Sequence, residues 1–112
     1  MKSKMPLITR TEEIILTAVI ILKGNAYGIT IRDYIKKITD EEWSFAKIYD
    51  PLNKLTQKEY VRKIEGEPTP ERGGRRKILY EITKDGMIAL KEIQEVNRNM
   101  AVDLQNTALG EL

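Results

Sequence analysis

Between residues 9 and 38, apolar residues recur at helical spacing in two separate stretches. The first begins at Thr9, which together with Glu12 fits a capping box, and runs to about Leu22. Its apolar positions cover a wide face, which predicts a helix at the centre of the core. The second runs from about Ile29 to Ile38, and its single apolar stripe predicts an amphipathic helix.

A third helical stretch, residues 43–60, contains a proline that allows two starting points. Its apolar stripe consists of Ile48, Leu52 and Leu55. If Ser44 is the N-cap, Pro51 falls in the second turn, removes one backbone hydrogen bond and strains the helix. If Asp50 is the N-cap, Pro51 takes the favoured first helical position. The pattern leaves both open, and we favour the start near Ser44.

The period then changes from helical spacing to alternation. Residues 60–65 and 77–83 predict two strands, the second with clear alternation of apolar and polar positions. Residues 66–74 between them contain two prolines and three glycines, which predicts a long, projecting hairpin tip.

Residues 84–112 return to helical spacing, with Thr83 as the expected N-cap. A helix of about 25 residues would be roughly 37 Å long, more than a small globule needs to cover itself. We therefore expect this helix to pair with a second copy of the chain; the alternative is packing on its own core with a frayed tail. The expected dimerisation residues are its apolar stripe: Met87, Leu90, Ile93, Met100 and Leu104.

Composition limits the chemistry. The 112 residues, enough for one domain, include no Cys and no His, which excludes disulfides, Cys/His zinc sites and the commonest general base. No carboxylate pair or phosphate-binding glycine loop suggests an active site, so we expect neither an enzyme nor a cofactor. The longest apolar run has nine residues and no signal-peptide flanks, which favours a cytoplasmic protein.

The net charge of +2 conceals an uneven distribution. Residues 43–80 carry +4 and residues 81–112 carry −3. Within the basic segment, residues 72–77 hold four bases and no acid. Such a cluster is either a solvated turn or a contact for nucleic acid.

Three helices followed by a hairpin with a basic tip is the order of a winged helix-turn-helix, a mainly α (α+β) fold. Residues 1–83 would form the DNA-binding domain, with the third helix in the major groove and the wing on the backbone or minor groove, and residues 84–112 the dimerisation helix. A winged-helix module that binds protein rather than DNA is the alternative. Tyr49 would lie at the DNA boundary or be buried. The expected DNA contacts are Ser44, Lys47, Tyr49, Asn53, Lys54, Gln57, Lys58, Arg72, Arg75, Arg76 and Lys77.

Several motifs resemble those of the PadR family of winged-helix transcriptional regulators. They are the Tyr27-Gly28 pair, the Ile48-Tyr49 pair, and the Gly-Gly-Arg-Arg-Lys wing at 73–77 followed by Tyr80, Thr83 and Gly86. The chain departs from the family in the Ser-Pro-Gly-Thr-Leu-Tyr-Pro segment, which here reads Ser-Phe-Ala-Lys-Ile-Tyr-Asp at 44–50. It also has Glu59 where the family has the glycine that ends the third helix.

The resemblance implies a homodimeric repressor of the compact branch, which has a single C-terminal dimerisation helix. It also implies a small-molecule effector as a partner, because some compact members bind flat compounds at aromatic residues of the last helix. Residues 81–112 contain no aromatic residue, which argues against a pore of that kind. The operator does not carry over, because the base-reading surface is what differs.

Overall fold

The computed structural model describes residues 6–68 and 76–112, which form four α-helices, two strands and one short 3-10 helix. The order matches the predicted winged helix. The bounds are α1 Arg10–Ile21, α2 Gly28–Thr39, α3 Phe45–Gln57, β1 Val61–Pro68, β2 Arg76–Ile82, α4 Lys84–Gln105 and the 3-10 helix Ala108–Glu111.

The first helix begins at the predicted capping box. Thr9 Oγ1 accepts a hydrogen bond from the Glu12 amide at 3.1 Å, and Glu12 Oε1 accepts one from the Thr9 amide at 2.8 Å. Its apolar face then lies at the centre of the core, as the wide stripe predicted, with Ile15 and Leu16 fully buried. The other helices and the sheet pack around this face.

The structure decides between the two starting points of the third helix. Ser44 is the N-cap, because its Oγ accepts a hydrogen bond from the Lys47 amide at 3.1 Å, and Pro51 lies inside the helix. The alternative start at Asp50 is wrong. Ile48, Leu52 and Leu55 are all fully buried, so packing of this stripe offsets the one backbone hydrogen bond that Pro51 cannot donate.

The end of α3 is a Schellman motif with a glutamate in the position that favours glycine. The Tyr60 amide donates to the Leu55 carbonyl at 2.9 Å, and the Glu59 amide donates to the Thr56 carbonyl at 3.0 Å. Glu59 has a φ of +63° as a result. This left-handed conformation is unfavourable for a residue that has a β-carbon, whereas glycine adopts it without that cost.

Replacing Glu59 with glycine is therefore expected to raise the free energy of unfolding by about 1 kcal/mol. Urea denaturation measures the change. Glu59→Ala is the matched control, because it removes the same charge but keeps the β-carbon. Equal effects of the two substitutions would show that charge, rather than backbone conformation, limits stability at this position.

The two strands form an antiparallel hairpin that is longer than predicted. The register runs from Val61 opposite Ile82 to Glu65 opposite Ile78, and resumes with Pro68 opposite Arg76 after an irregularity. The sequence placed the start of the loop at Gly66, but backbone pairing continues to Pro68, at the end of the ladder, where its missing N–H does least harm. The rest of the predicted tip, residues 69–74, lies outside the described residues, as does Arg75.

The last helix begins as predicted but ends earlier. Thr83 caps α4 by accepting a hydrogen bond from the Gly86 amide at 3.1 Å. α4 ends at Gln105 rather than continuing to residue 112. The cause lies at Thr107, whose hydroxyl donates to the Leu104 carbonyl at 2.6 Å and accepts from the Leu109 amide at 3.2 Å, so it stabilises a turn in place of further helix.

Candidate nucleic-acid interface

The outer face of α3 is polar and exposed. Opposite the buried stripe, the helical period places four residues that all point to solvent: Asp50, Asn53, Lys54 and Gln57. The N-cap Ser44 is exposed as well. These groups present amide, ammonium and carboxylate hydrogen-bonding atoms on a rigid helix, which is the arrangement that reads base edges in other helix-turn-helix proteins.

One flank of α3 faces the start of α1 and carries the lysines. The Lys47 ammonium lies 4.1 Å from the centre of the Trp43 ring, and the Lys58 ammonium lies 2.9 Å from Glu12 Oε2. Lys54 makes no ion pair among the described residues. Lys47 and Lys54 line a groove together with Thr9, Thr11 and Pro51. Of the lysines expected to contact DNA, Lys58 is thus paired with a carboxylate of its own chain.

Glu12 is the buried polar residue of the described core, with 5% of its surface exposed. Burial by itself raises the pKa of this carboxyl, but hydrogen bonds from Lys58 and the Thr9 amide, together with the Lys58 charge, bring the pKa below its ordinary value. The folded chain therefore stabilises the ionised form. That contribution is present above the ordinary pKa and is lost as pH falls through the lowered one.

Glu12→Gln is accordingly expected to cost about 1 kcal/mol of unfolding free energy at neutral pH. The difference from the wild type should shrink as the pH falls below the ordinary value of 4.5. Urea denaturation between pH 7 and pH 3 measures it. The control is Glu42→Gln, which breaks the exposed pair with Lys36 at 3.6 Å and should change little. A Glu12→Gln deficit that grows with acidity would contradict this role.

The other flank of α3 faces α2 and is aromatic. The Phe45 ring stacks on Tyr49 with centroids 6.2 Å apart, and the Arg32 guanidinium lies 4.6 Å from the centre of the Phe45 ring. Sequence patterns did not single out Phe45 or Arg32. The sequence did contain a sign that Phe45 is unusual, because it stands where the family that the chain resembles has proline.

Tyr49 lies between the two expected arrangements, exposed over 36% of its surface. Its hydroxyl is in close contact with Gly28, where an added β-carbon would overlap it. This contact explains why glycine follows Tyr27 at the start of α2: only a residue without a side chain leaves room for Tyr49.

The base of the wing is attached to the link between α1 and α2. The Tyr80 amide donates to the Ala26 carbonyl at 2.8 Å, and the Lys77 ammonium lies 4.6 Å from the centre of the Tyr27 ring. Across the hairpin, Arg62 pairs with Glu81. Arg72 and Arg75 lie outside the described residues, and only the backbone of Arg76 is described.

The apolar stripe of α4 divides into two parts. Leu90 is buried in the chain's own core and Ile93 packs against that core, whereas Met87, Met100 and Leu104 each expose roughly half of their surface. Asn97 Nδ2 donates to Glu13 Oε2 at 2.7 Å, which holds the middle of α4 against α1. Every residue from Arg98 onward is exposed.

The described residues contain no group of carboxylates that could hold a metal ion. Among the helices of residues 6–68 and 76–112, none has the length and apolar character needed to cross a membrane.

Solved structures with the same fold include three regulators. A transcriptional regulator from Clostridium thermocellum has a TM-score of 0.70 at 23% identity, covering 91% of this chain and 99% of that one. A PadR-like transcription factor from Bacteroides fragilis has a TM-score of 0.68 at 19% identity, covering 84% and 85%. A PadR family regulator from Clostridium difficile R20291 has a TM-score of 0.63 at 20% identity, covering 88% and 96%. No curated protein matches the chain significantly.

These identities are low, so the structural likenesses establish the fold alone. A sequence model of the transcriptional regulator PadR-like family matches residues 16–92, which is more than half of the chain. That family consists of DNA-binding regulators rather than enzymes. The winged helix, its polar third helix and this match together show that the chain belongs to the PadR-like family of transcriptional regulators.

Proposed function

We propose that the protein is a homodimeric repressor that inserts α3 into the major groove of duplex DNA and lays its wing on the backbone or in the minor groove. The observation that carries this proposal is the exposed polar face of α3, held rigidly by a fully buried stripe on the opposite side. The proposed contacts are Ser44, Lys47, Tyr49, Asn53, Lys54, Gln57, Lys58, Arg72, Arg75, Arg76 and Lys77.

The chemistry of the outer face suits base reading. The Asn53 and Gln57 amides can each bond both edge groups of an adenine, and Lys54 can reach a guanine or a phosphate. Asp50 lies among them and accepts hydrogen bonds only, so it suits the N4 amino group of cytosine and disfavours phosphate. An acid within the reading face therefore favours sequence-specific contact over general attraction to the backbone.

The homodimer is supported by the continuity of one face of α4. Leu90, Ile93 and Asn97 occupy the side of the helix that packs on α1, and the helical period places Met100 and Leu104 on that same side. Beyond the body of the chain, the described residues leave this side exposed. A second copy would bury it, which gives residues 1–83 the DNA-binding role and residues 84–112 the dimerisation role.

Binding is tested with duplexes selected from random DNA, with affinity followed by fluorescence anisotropy across salt concentrations. The Arg75→Ala, Arg76→Ala double variant is expected to weaken binding to all sequences and to lower the salt slope by about two. The Asn53→Ala, Gln57→Ala double variant is expected to relax sequence preference by about 1–3 kcal/mol for each contacted base pair. A promoter overlapped by the selected site should then be transcribed less in the presence of the wild type.

The matched control is Lys91→Ala with Arg98→Ala, which removes the same two positive charges from exposed positions of α4. It should leave the salt slope unchanged. If the wild type binds no duplex even at low salt, the protein-interaction alternative replaces DNA binding. If the α4 control lowers the slope as much as the wing variant, the wing has no special role.

A further inference from the structure

The first turn of α3 presents an apolar surface instead of a polar one. Phe45 is the first residue of the helix and exposes 40% of its surface, and Ala46 beside it is also exposed. Phe45 lies on the flank of α3 that faces α2, so this patch borders the polar outer face at the N-terminal end of the helix. In helix-turn-helix proteins it is the N-terminal residues of this helix that reach the base edges.

The Phe45 ring is held in a defined position. Arg32 of α2 lies over the ring at 4.6 Å from its centre, and Tyr49 stacks at an interplanar angle of 30°. Tyr49 is in turn held against Gly28. A ring fixed by contacts from two helices loses little conformational entropy when it binds, so its exposed edge is prepared for a ligand. An exposed side chain with no binding role would not need these contacts from Arg32 and Tyr49.

The major groove offers one apolar group to such an edge, which is the methyl on C5 of a pyrimidine. We infer that Phe45 is a specificity-determining residue that packs against a pyrimidine C5-methyl group in each half-site, an inference that rests on the proposed binding of duplex DNA through α3. Thymine supplies this methyl in unmodified DNA. Arg32 is the positioning residue, since it lies over one face of the ring and leaves the edge to the methyl.

The test replaces the thymines of the selected duplex by uracil, one position at a time. Uracil pairs as thymine does and lacks only the methyl, so the affinity ratio of the two duplexes isolates this contact. For the wild type we expect one position in each half-site at which uracil weakens binding about fourfold. For Phe45→Ala the ratio at that position should fall to about one, while Phe45→Leu retains part of it.

The outcomes distinguish the role of Phe45 from the proposed DNA binding on which it rests. Asn53→Ala should lower affinity and keep the thymine-to-uracil ratio, because it removes a hydrogen bond and leaves the ring in place. A wild-type ratio of one at every thymine with no gain on methylation of any cytosine, or a methyl effect that Phe45→Ala leaves unchanged, overturns the role of Phe45 while DNA binding stands. Failure to bind any duplex overturns the proposed function together with it. Circular dichroism of each variant confirms that the exposed substitutions leave the helices intact.

The methyl could also belong to 5-methylcytosine. Because the selection uses unmodified DNA, a thymine fixed at the sensitive position identifies thymine as its source. A cytosine of the selected site whose methylation raises the affinity of the wild type, but not that of Phe45→Ala, identifies 5-methylcytosine. Either result supports the contact between Phe45 and a C5-methyl group.

Discussion

Replacing Gly86 by alanine is expected to destabilise the chain by about 3 kcal/mol, although the same change inside a helix ordinarily adds stability. Gly86 is the third residue of α4 and is buried. A β-carbon at this position would overlap the Tyr60 carbonyl and lie 2.8 Å from Ile82 Cγ1. The Tyr60 carbonyl is backbone and cannot rotate away, since it also accepts the Thr83 amide at 3.0 Å.

The expected loss of stability follows from the parts of the structure that must move to make room for the added β-carbon. Either α4 shifts away from the start of β1, which disturbs the buried Ala89 and Leu90, or the Thr83 cap is lost. Both routes lose packing or hydrogen bonds that hold the last helix to the winged helix. Urea denaturation and the thermal midpoint, at one fixed protein concentration, measure the effect, and a fall in Tm of roughly 10 °C or more is expected.

Ala101→Gly is the matched control for Gly86→Ala. It exchanges the same two residues in the same helix, at a position that is exposed in the single chain. Helix propensity alone predicts a loss of up to about 1 kcal/mol there. Should Gly86→Ala leave Tm unchanged or raise it, the close approach of α4 to Tyr60 would not be a constraint on the fold.

A chain that ends at Asn99 is expected to fold and to be monomeric. It keeps Leu90 and Ile93 on the core and the hydrogen bond from Asn97 to Glu13. It loses Met100 and Leu104, which expose 51% and 46% of their surfaces in a single chain. Losing the apolar burial of two such side chains from each of two copies is expected to raise the dimer dissociation constant about a thousandfold or more.

Sedimentation at micromolar concentration measures this change, with the full chain expected at about twice 12.9 kDa. Met100→Lys with Leu104→Lys should give the same monomer without shortening the chain. Val102→Lys is the control, because Val102 is 60% exposed but lies on the opposite side of α4. A truncated chain that remains dimeric would place the interface elsewhere, and a full chain that is monomeric would contradict the dimer itself.

Local signals in the sequence were sufficient for much of the fold. Thr9 and Thr83 were identified as caps, and Ser44 was the favoured of two starts, because a hydroxyl that accepts an amide hydrogen bond acts within three residues. The buried stripes of α1 and α3 followed from periodicity, which likewise depends only on residues close together in the chain. The end of α4 was missed because it depends on the hydroxyl of Thr107, which the helical spacing seen over residues 84–112 does not show.

The candidate site was predictable in outline and incomplete in its contacts. Asn53, Lys54 and Gln57 could be placed on the outer face, since they are the residues opposite the apolar stripe. Periodicity could not show that Lys58 pairs with Glu12, 46 residues away along the chain. Nor could it show that Arg32 covers Phe45, because that contact depends on how α2 crosses α3.

By itself, the sequence determined the order of helices and strands, the caps Thr9 and Thr83, the basic wing and the family, because these depend on neighbouring residues and on short motifs. The tertiary structure decided whether Pro51 begins a helix or lies inside one, which lysine is matched by a buried carboxylate, and which apolar residues of α4 are exposed in the single chain. Each of those outcomes depends on the packing of segments distant in the chain. The boundary at residue 84 shows the difference: the pattern predicts two functional parts that meet there, while Ala89 and Leu90 of the second part lie in the same core as the first.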